Sequence, residues 1–173
     1  MSQVILVNKQ DEATGTMDKL EAHEKGLLHR AFSIFIFNAK GEMLLQQRAL
    51  SKYHSGGLWT NACCSHPQPG EDIEESAQRR LMEEMGFNAE LKKIFSFIYK
   101  TDFDNGLTEH EVDHVFIGNY EAVIQPNPEE VSNFYFQPMN VIRKSIEEQP
   151  HLFTSWFKIA FPQLETYLAS AGE

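Results

Sequence analysis

The sequence has little cysteine and no long apolar run. Its 173 residues include two cysteines, Cys63 and Cys64, which are neighbours. Adjacent cysteines with no other partner in the chain cannot build a disulfide framework, so we expect reduced thiols that are available for chemistry. The longest apolar runs, such as residues 31–37, are far shorter than the ~20 residues of a membrane span, and the N-terminus lacks a signal-peptide pattern. We therefore expect a soluble, cytoplasmic protein without a membrane partner.

Positive charge is also scarce. The chain has 15 Lys and Arg residues against 25 Asp and Glu residues, which gives a formal net charge of −10. Nucleic acids and anionic membranes are bound through clustered cationic surfaces, so this balance argues against either as the main partner. A small anionic substrate is compatible with it if a few Lys and Arg side chains converge locally.

The chain has neither an internal repeat nor a low-complexity tail. With 42% apolar residues it is large enough for one domain with a sizeable core, residues 1–173. Strands are predicted at 2–8, 30–38, 43–48, 58–66, 94–99, 111–120 and 134–137, with a polar turn around Gly15. Helices are predicted at 19–25, 73–85, 140–148 and 154–169. We expect a hairpin from 30–38 and 43–48, and a sheet with helices on both faces.

Residues 59–87 join two kinds of chemistry. On a strand, Cys64 and His66 share a face while Cys63 points to the other side. We interpret Cys63 as a core residue and Cys64 as the reactive thiol, because a titratable partner lies beside Cys64. The helix that follows carries Glu84 among several carboxylates, the hard oxygen ligands that magnesium prefers. This combination indicates an enzyme.

Two carboxylates and three histidines are candidates for a metal shell. Glu109 and Glu111 share a face if their segment is extended, which makes them candidates for a metal or acid/base site, with a solvated strand edge as an equal alternative from this pair alone. His23 and His29 could converge where the first helix leads into the next strand, although a lone histidine is more often structural. Together with His66, Glu109 and Glu111 they make a plausible five-ligand shell for a divalent transition metal.

Several cations stand out against the acidic average: Lys19, Arg48, Lys52, Arg79 and Arg80. Each alone could be a solvated surface residue, but together they could form the cation patch that a diphosphate needs. Trp156 is by default a core anchor. Its indole face is also the side-chain surface best suited to stabilise a cation.

Seven residues have the spacing of the Nudix box, a loop–helix motif that binds magnesium and diphosphate groups: Glu71, Arg79, Leu81, Glu83, Glu84, Gly86 and Phe87. The leading glycine of the motif falls on Ser65, and the Glu that normally follows the Arg falls on Arg80. The second departure weakens the case for diphosphate hydrolysis. Both departures are similar to the sequences of the type I isopentenyl diphosphate isomerases. This chain resembles that family over nearly its whole length, through further motifs at 14–16, 48–52, 59–61, 64–67 and 109–112.

The resemblance implies an α/β (α+β) fold, a Nudix-like α/β/α sandwich with a mixed sheet. It also implies reversible conversion of isopentenyl diphosphate to dimethylallyl diphosphate. The implied metal ligands are His23, His29, His66, Glu109 and Glu111 for Mn²⁺ or Zn²⁺, and Glu84 for Mg²⁺ with the diphosphate. The implied catalytic residues are Cys64, Glu111 and Tyr99, and the implied diphosphate contacts are Lys19, Arg48, Lys52 and Arg80. As a hypothesis, Trp156 stabilises the carbocation.

Two other functions are compatible with part of this pattern. One is a Nudix hydrolase acting on a nucleoside diphosphate derivative, since a fold does not fix a function. The other is a metal-stabilised binding module in which the thiol and carboxylates are structural. Neither requires Cys64, Glu111 and the segment 48–52 at once. The sequence leaves open whether the chain is a monomer or a weak homodimer.

Overall fold

A computed structural model describes residues 2–52 and 54–171. In this part of the chain nine β-strands form one sheet, accompanied by four α-helices and a short 3-10 helix. In chain order the elements are β1 (Gln3–Val7), β2 (Ala13–Asp18), α1 (Lys19–Lys25), β3 (His29–Phe37), β4 (Met43–Arg48), β5 (Trp59–Thr60), β6 (Cys63–Ser65), α2 (Ile73–Met85), β7 (Lys92–Asp102), β8 (Thr108–Asn119), β9 (Val131–Gln137), α3 (Met139–Glu148), the 3-10 helix (Pro150–Leu152) and α4 (Ser155–Ala171). None of the helices described is long and apolar enough to cross a membrane.

The central strand β3 makes the sheet mixed. It pairs in parallel with β8 along its full length, from His29↔Glu111 to Phe37↔Asn119. Its remaining pairings, with β1, β6 and β4, are antiparallel. The mixed sheet predicted from the sequence is therefore confirmed.

Alternation along β3 divides the core into two layers. Phe32 and Ile34 pack in one cluster with Leu81 of α2, whereas Phe35 packs in another with Phe157 of α4. Successive side chains of a strand point to opposite faces, so a strand that is apolar on both faces requires a helix layer on each. This arrangement is the predicted α/β/α sandwich.

The hairpin predicted from β3 and β4 forms only at its turn. Gly41 has a positive φ of 77° in the turn, but Phe37↔Met43 is the sole pair recorded between the two strands. The predicted strand 58–66 is divided: β5 pairs with β4, and β6 pairs with β3 at residues 32–34. Because β8 occupies one edge of β3 throughout, β6 replaces β4 on the other edge. The prediction of one strand was wrong, and the division separates β3 from β4.

The predicted polar turn around Gly15 was also wrong, because Gly15 lies within β2. That strand is mostly exposed and pairs with β1, so it lacks the apolar alternation by which strands are recognised. The turn occurs earlier, where the Asn8 side chain accepts bonds from the amides of Gln10 and Glu12. By contrast, α1 and α2 end as predicted at Gly26 and Gly86, which are both left-handed.

The loop before α2 is fixed by an ion pair. Glu71 accepts bonds from Nε and Nη2 of Arg79 at 2.8 and 3.0 Å, and from the Gln68 amide at 2.9 Å. These bonds, chiefly that of Arg79, lower the pKa of Glu71 to about 2. A carboxyl group with a depressed pKa stabilises the fold above its ordinary pKa and loses that contribution as pH falls through the folded-state value.

We expect Glu71→Gln to lower the free energy of unfolding at pH 7 by about 1 kcal/mol or less. The difference from wild type should shrink as pH falls below 4.5 and vanish only below about pH 2, where wild-type Glu71 also becomes protonated. Urea titrations of both proteins across this pH range measure the difference in the free energy of unfolding. Glu74→Gln, an exposed change in the first turn of α2, is the control. A difference independent of pH would contradict the ion-pair interpretation.

Candidate functional site

One pocket collects side chains from the ends of the strands and from three helices. It contains eleven of the thirteen residues predicted for the site: Lys19, Arg48, Lys52, Cys64, His66, Arg80, Glu84, Tyr99, Glu109, Glu111 and Trp156. The other two, His23 and His29, are fully buried behind it, with Nε2 atoms 3.6 Å from Glu109 and 3.1 Å from Glu111 respectively. The fold therefore brings together all thirteen predicted residues.

Sheet register explains how distant residues meet. His29 pairs with Glu111 across β3 and β8, and Glu111 pairs with Tyr99 across β8 and β7. Paired residues project to the same face, so the three side chains form a row across the sheet. On the same face of β3, four residues beyond His29, Ser33 pairs with Cys64 of β6.

Four of the predicted metal ligands form one group. One ligand atom from each of His23, His29, His66 and Glu111 lies within 4.8 Å of the others. Glu109 lies instead in a second group, with His23 and His54. Imidazole nitrogens with carboxylate oxygens match the preferences of a divalent transition metal, so the donor set fits such an ion.

The electrostatics of these groups also suit a cation. Burial lowers the pKa of His23 to about 3 and lowers the pKa of His66, which leaves both as neutral ligands. Burial and then the charge of Glu111 raise the pKa of Glu109. Burial acts the same way on Glu111, but His66 and His29 outweigh it and lower its pKa. A bound cation would neutralise this carboxylate pair.

Tyr99 links the two carboxyl groups. Its hydroxyl is within hydrogen-bonding distance of both Glu109 and Glu111, as the resemblance implied for Glu111. A hydroxyl has one proton to donate, so one of these contacts requires a proton on a carboxyl group. Burial and the charge of Glu111 raise the pKa of Glu109, which favours a proton on Glu109.

The two cysteines face opposite sides, as predicted. Cys63 is fully buried in the core cluster of α2, whereas Cys64 lines the pocket. The Cys64 Sγ atom lies 3.1 Å from Asn61 Oδ1, to which it donates, and accepts a bond of 3.1 Å from Nε1 of Trp156. Burial raises the pKa of Cys64, so at neutral pH this group is a thiol that carries a proton.

The predicted cations cluster at the rim of the pocket. Arg80 contacts Glu84 at 2.6 Å, and Lys52 contacts Glu130 at 2.6 Å. Burial, and then the charges of Lys52 and Arg80, lower the pKa of Lys19. Cations that repel one another in this way favour binding of an anion.

Arg79 does not line this pocket, and its guanidinium is bound by Glu71 and Glu83. It lines instead an adjoining cavity, together with Lys19, Lys52 and Arg80. The sequence did not predict His54, which lines the pocket, or two carboxylates that contact lining residues, Asp113 beside Ser33 and Glu130 beside Lys52. Asp113 accepts a bond of 2.7 Å from Ser33 and is 1% exposed. Of the three, only Asp113 had a sequence signal, its place two residues beyond Glu111 on one face.

Similarity to known proteins agrees with this geometry. Residues 27–157 match the NUDIX domain family. The isopentenyl-diphosphate Delta-isomerase of Pectobacterium atrosepticum is 48% identical over 167 residues, 96% of this chain and 93% of the relative. The chain belongs to the isopentenyl-diphosphate Delta-isomerases of the Nudix family. Another such relative, isopentenyl-diphosphate Delta-isomerase 2 of Photorhabdus laumondii, is 50% identical over 155 residues, 90% of this chain and 88% of the relative.

Solved structures support the Nudix fold of this isomerase-family chain. A crystal structure from Deinococcus radiodurans superposes with a TM-score of 0.78 at 17% identity, covering 94% of this chain and 98% of that one. An Ap4A hydrolase from C. elegans gives a TM-score of 0.59 at 18% identity, with 82% and 98% covered. At such identities the likeness establishes the fold alone.

We expect His66→Ala to lower the affinity for the transition metal at least ~10-fold, because it removes an imidazole 2.6 Å from Glu111. Elemental analysis of dialysed protein measures the metal retained per chain. The exposed His151 provides the control His151→Ala, which should retain wild-type metal content. Undiminished metal in His66→Ala would remove His66 from the shell.

Proposed function

We propose that this protein interconverts isopentenyl diphosphate and dimethylallyl diphosphate. The observation that carries the proposal is that one pocket contains a protonated thiol, a carboxylate–phenol pair and a cation cluster. A C5 diphosphate needs all three, because its double bond must be moved and its anionic end must be held. The relatives named isopentenyl-diphosphate Delta-isomerase support the same activity.

Moving the double bond requires two proton-transfer groups. One proton is added to an alkene carbon, which gives a tertiary carbocation, and another is removed from a neighbouring carbon. We assign one transfer to Cys64, whose thiol carries a proton to donate, and the other to the Glu111 carboxylate, with Tyr99, which accepts one; the reverse reaction exchanges these roles. The raised pKa of Cys64 and its bonds with Asn61 and Trp156 hold that proton at a fixed place.

The His/Glu shell and Glu84 are proposed to hold two cations. A transition metal would fix the position of Glu111 and supply positive charge beside it. Mg²⁺, held by Glu84, would supply charge neutralisation at the diphosphate. Arg80, Lys52 and Lys19 then bind phosphate oxygens, which anchors a small substrate whose few carbons provide little binding energy.

Trp156 is proposed to stabilise the carbocation. The side chain is 3% exposed, lines the pocket and contacts Cys64, while Arg48 lies 5.1 Å from its ring centroid. We expect Trp156→Leu to lower kcat about 2- to 30-fold more than Trp156→Phe, since a π face is worth ~0.5–2 kcal/mol to a cation. Steady-state kinetics of the two variants measure this. Equal losses would indicate a packing role alone.

Hydrolysis of a nucleoside diphosphate derivative is not favoured. Arg80 replaces a carboxylate of the Nudix box, and its Nη2 atom lies 2.6 Å from Glu84. A cation at this position removes one hard oxygen ligand and holds phosphate by charge instead. We also propose a cytoplasmic location and a monomeric or weakly dimeric state.

Incubation with isopentenyl diphosphate in deuterated water tests the proposal. We expect dimethylallyl diphosphate that carries deuterium, because a solvent-exchanged proton is added during each conversion. The same protein should release no phosphate from a panel of nucleoside diphosphate derivatives. Absence of both product and label with Mg²⁺ and Mn²⁺ present would overturn the isomerase proposal.

A further inference from the structure

A buried polar row of three side chains, Thr60, Asn61 and Thr154, lies behind the pocket wall next to Cys64. Each of the three is at most 1% exposed, and none is among the residues that line the pocket. Burying a hydroxyl or an amide costs free energy unless the group is hydrogen-bonded, so three such groups in one place require partners. Their partners connect Cys64 with the start of α4.

The amide of Asn61 has one possible orientation. Its Nδ2 atom donates to the backbone oxygens of Ile34 at 2.8 Å and Cys63 at 3.1 Å, so both amide protons are used. Rotating the amide by half a turn would place its oxygen against those two oxygens. The Oδ1 atom therefore acts as an acceptor, 3.1 Å from Sγ of Cys64 and 2.9 Å from Oγ1 of Thr60. The thiol proton is directed at Asn61.

Two hydroxyl groups continue the row to α4. The hydroxyl of Thr60 donates to Asn61, and its oxygen accepts a bond of 3.1 Å from the hydroxyl of Thr154. Thr154 directly precedes α4, and its Oγ1 atom accepts a bond of 3.3 Å from the backbone N–H of Phe157, as the side chain of an N-cap residue does. Each hydroxyl proton thus has its own acceptor, which leaves one direction for every hydrogen bond of the row.

Trp156, in the first turn of α4, closes the network. Its Nε1 atom donates to Sγ of Cys64 at 3.1 Å, and an indole N–H donates only. Cys64 is therefore connected to α4 twice, directly by Trp156 and through the buried polar row. We propose that the row fixes the thiol of Cys64 relative to the indole of Trp156. Its members are positioning residues, because they act through the two groups that face the substrate.

The inference rests on the proposed function and deepens it. A proton donor and an indole that stabilises a carbocation must face the same few carbon atoms of a small substrate. A misplacement of about 1 Å can lower a rate ~10²-fold, so the mutual position of Cys64 and Trp156 matters for turnover. The cations that bind the diphosphate lie outside the network. A loosened network should therefore slow the reaction without weakening diphosphate binding.

Thr154→Val tests this expectation, because valine keeps the shape of the side chain and removes the hydroxyl that donates to Thr60. We expect kcat to fall about 10- to 100-fold, with KM for isopentenyl diphosphate within about twofold of wild type. Thr154→Ser keeps the hydroxyl and should restore most of kcat. Thr166→Val, an exposed change on the same helix, is the control and should behave as wild type. Loss of thermal stability with unchanged kcat would reduce Thr154 to a helix cap.

The S–H stretching band in the infrared spectrum reports the network directly. Cys63→Ala leaves Cys64 as the single thiol of the chain, so its band is observed alone. Hydrogen bonding lowers the stretching frequency, and the band should therefore lie below that of a free thiol. Adding Thr154→Val should move the band towards the free-thiol frequency, whereas adding Thr154→Ser should not.

The band of the Cys63→Ala protein decides the matter even if Thr154→Val fails to fold. A free-thiol frequency in that protein would show that Asn61 does not accept the thiol proton and would overturn the inference. The measurement needs no substrate, so product formation in deuterated water separates the two proposals. A free-thiol band with full isomerisation rejects only the network, whereas a hydrogen-bonded band without isomerisation rejects only the function.

Discussion

Replacing Cys64 with alanine should lower kcat by ~10²–10⁴-fold, the usual contribution of a positioned acid or base. The Sγ atom of Cys64 lines the pocket and lies between Asn61 and Trp156. Alanine removes the exchangeable proton and leaves the diphosphate contacts in place. The loss should therefore appear in kcat, with KM little changed.

Cys63→Ala is the matched control for this experiment. Cys63 is adjacent in sequence, but it is fully buried on the opposite face of the sheet, beside Leu81 and Met85. Its replacement should reduce thermal stability through lost packing and leave the kcat of the folded protein within a few-fold of wild type. The reverse pattern, an active Cys64→Ala and an inactive Cys63→Ala, would show that the faces were assigned wrongly.

Glu111→Gln should have an effect of similar size, ~10²–10⁴-fold in kcat, for two combined reasons. The carboxylate contacts His66 at 2.6 Å, His29 at 3.1 Å and the hydroxyl of Tyr99. Glutamine keeps the shape but loses the charge that binds a cation and the oxygen that exchanges a proton. We expect both turnover and metal affinity to fall.

Excess metal separates these two roles. If saturating Mn²⁺ restores metal content in Glu111→Gln without restoring turnover, Glu111 exchanges a proton with the substrate. Recovery of full turnover at restored occupancy would reduce Glu111 to a metal ligand. Glu147→Gln, an exposed change on α3 that does not line the pocket, controls for loss of charge and should behave as wild type.

The sequence predicted correctly those elements whose limits are set by residues within or next to the element itself. The helix α2 has an apolar stripe, the N-cap Asp72 and the left-handed Gly86, so its limits follow from nearby residues alone. The prediction of one strand over 58–66 was wrong because β5 pairs with β4 whereas β6 pairs with β3. The pairing of β6 depends on which edge of β3 is left free by β8, and no local sequence pattern determines that edge.

The sequence by itself determined which side chains share a face within one segment. Strand alternation separated Cys63 from Cys64 and joined Glu109 to Glu111, because the period of a strand is a local property. Motif spacing and the resemblance then identified the thirteen residues that the fold brings together.

The tertiary structure alone decided how segments far apart in the chain meet. Pairing of β3 with β8 and of β8 with β7 set His29, Glu111 and Tyr99 in one row, and folding of the segment after β4 added His54. Register and loop path depend on packing across the whole sheet, so residues without a local pattern become visible only when the fold is complete.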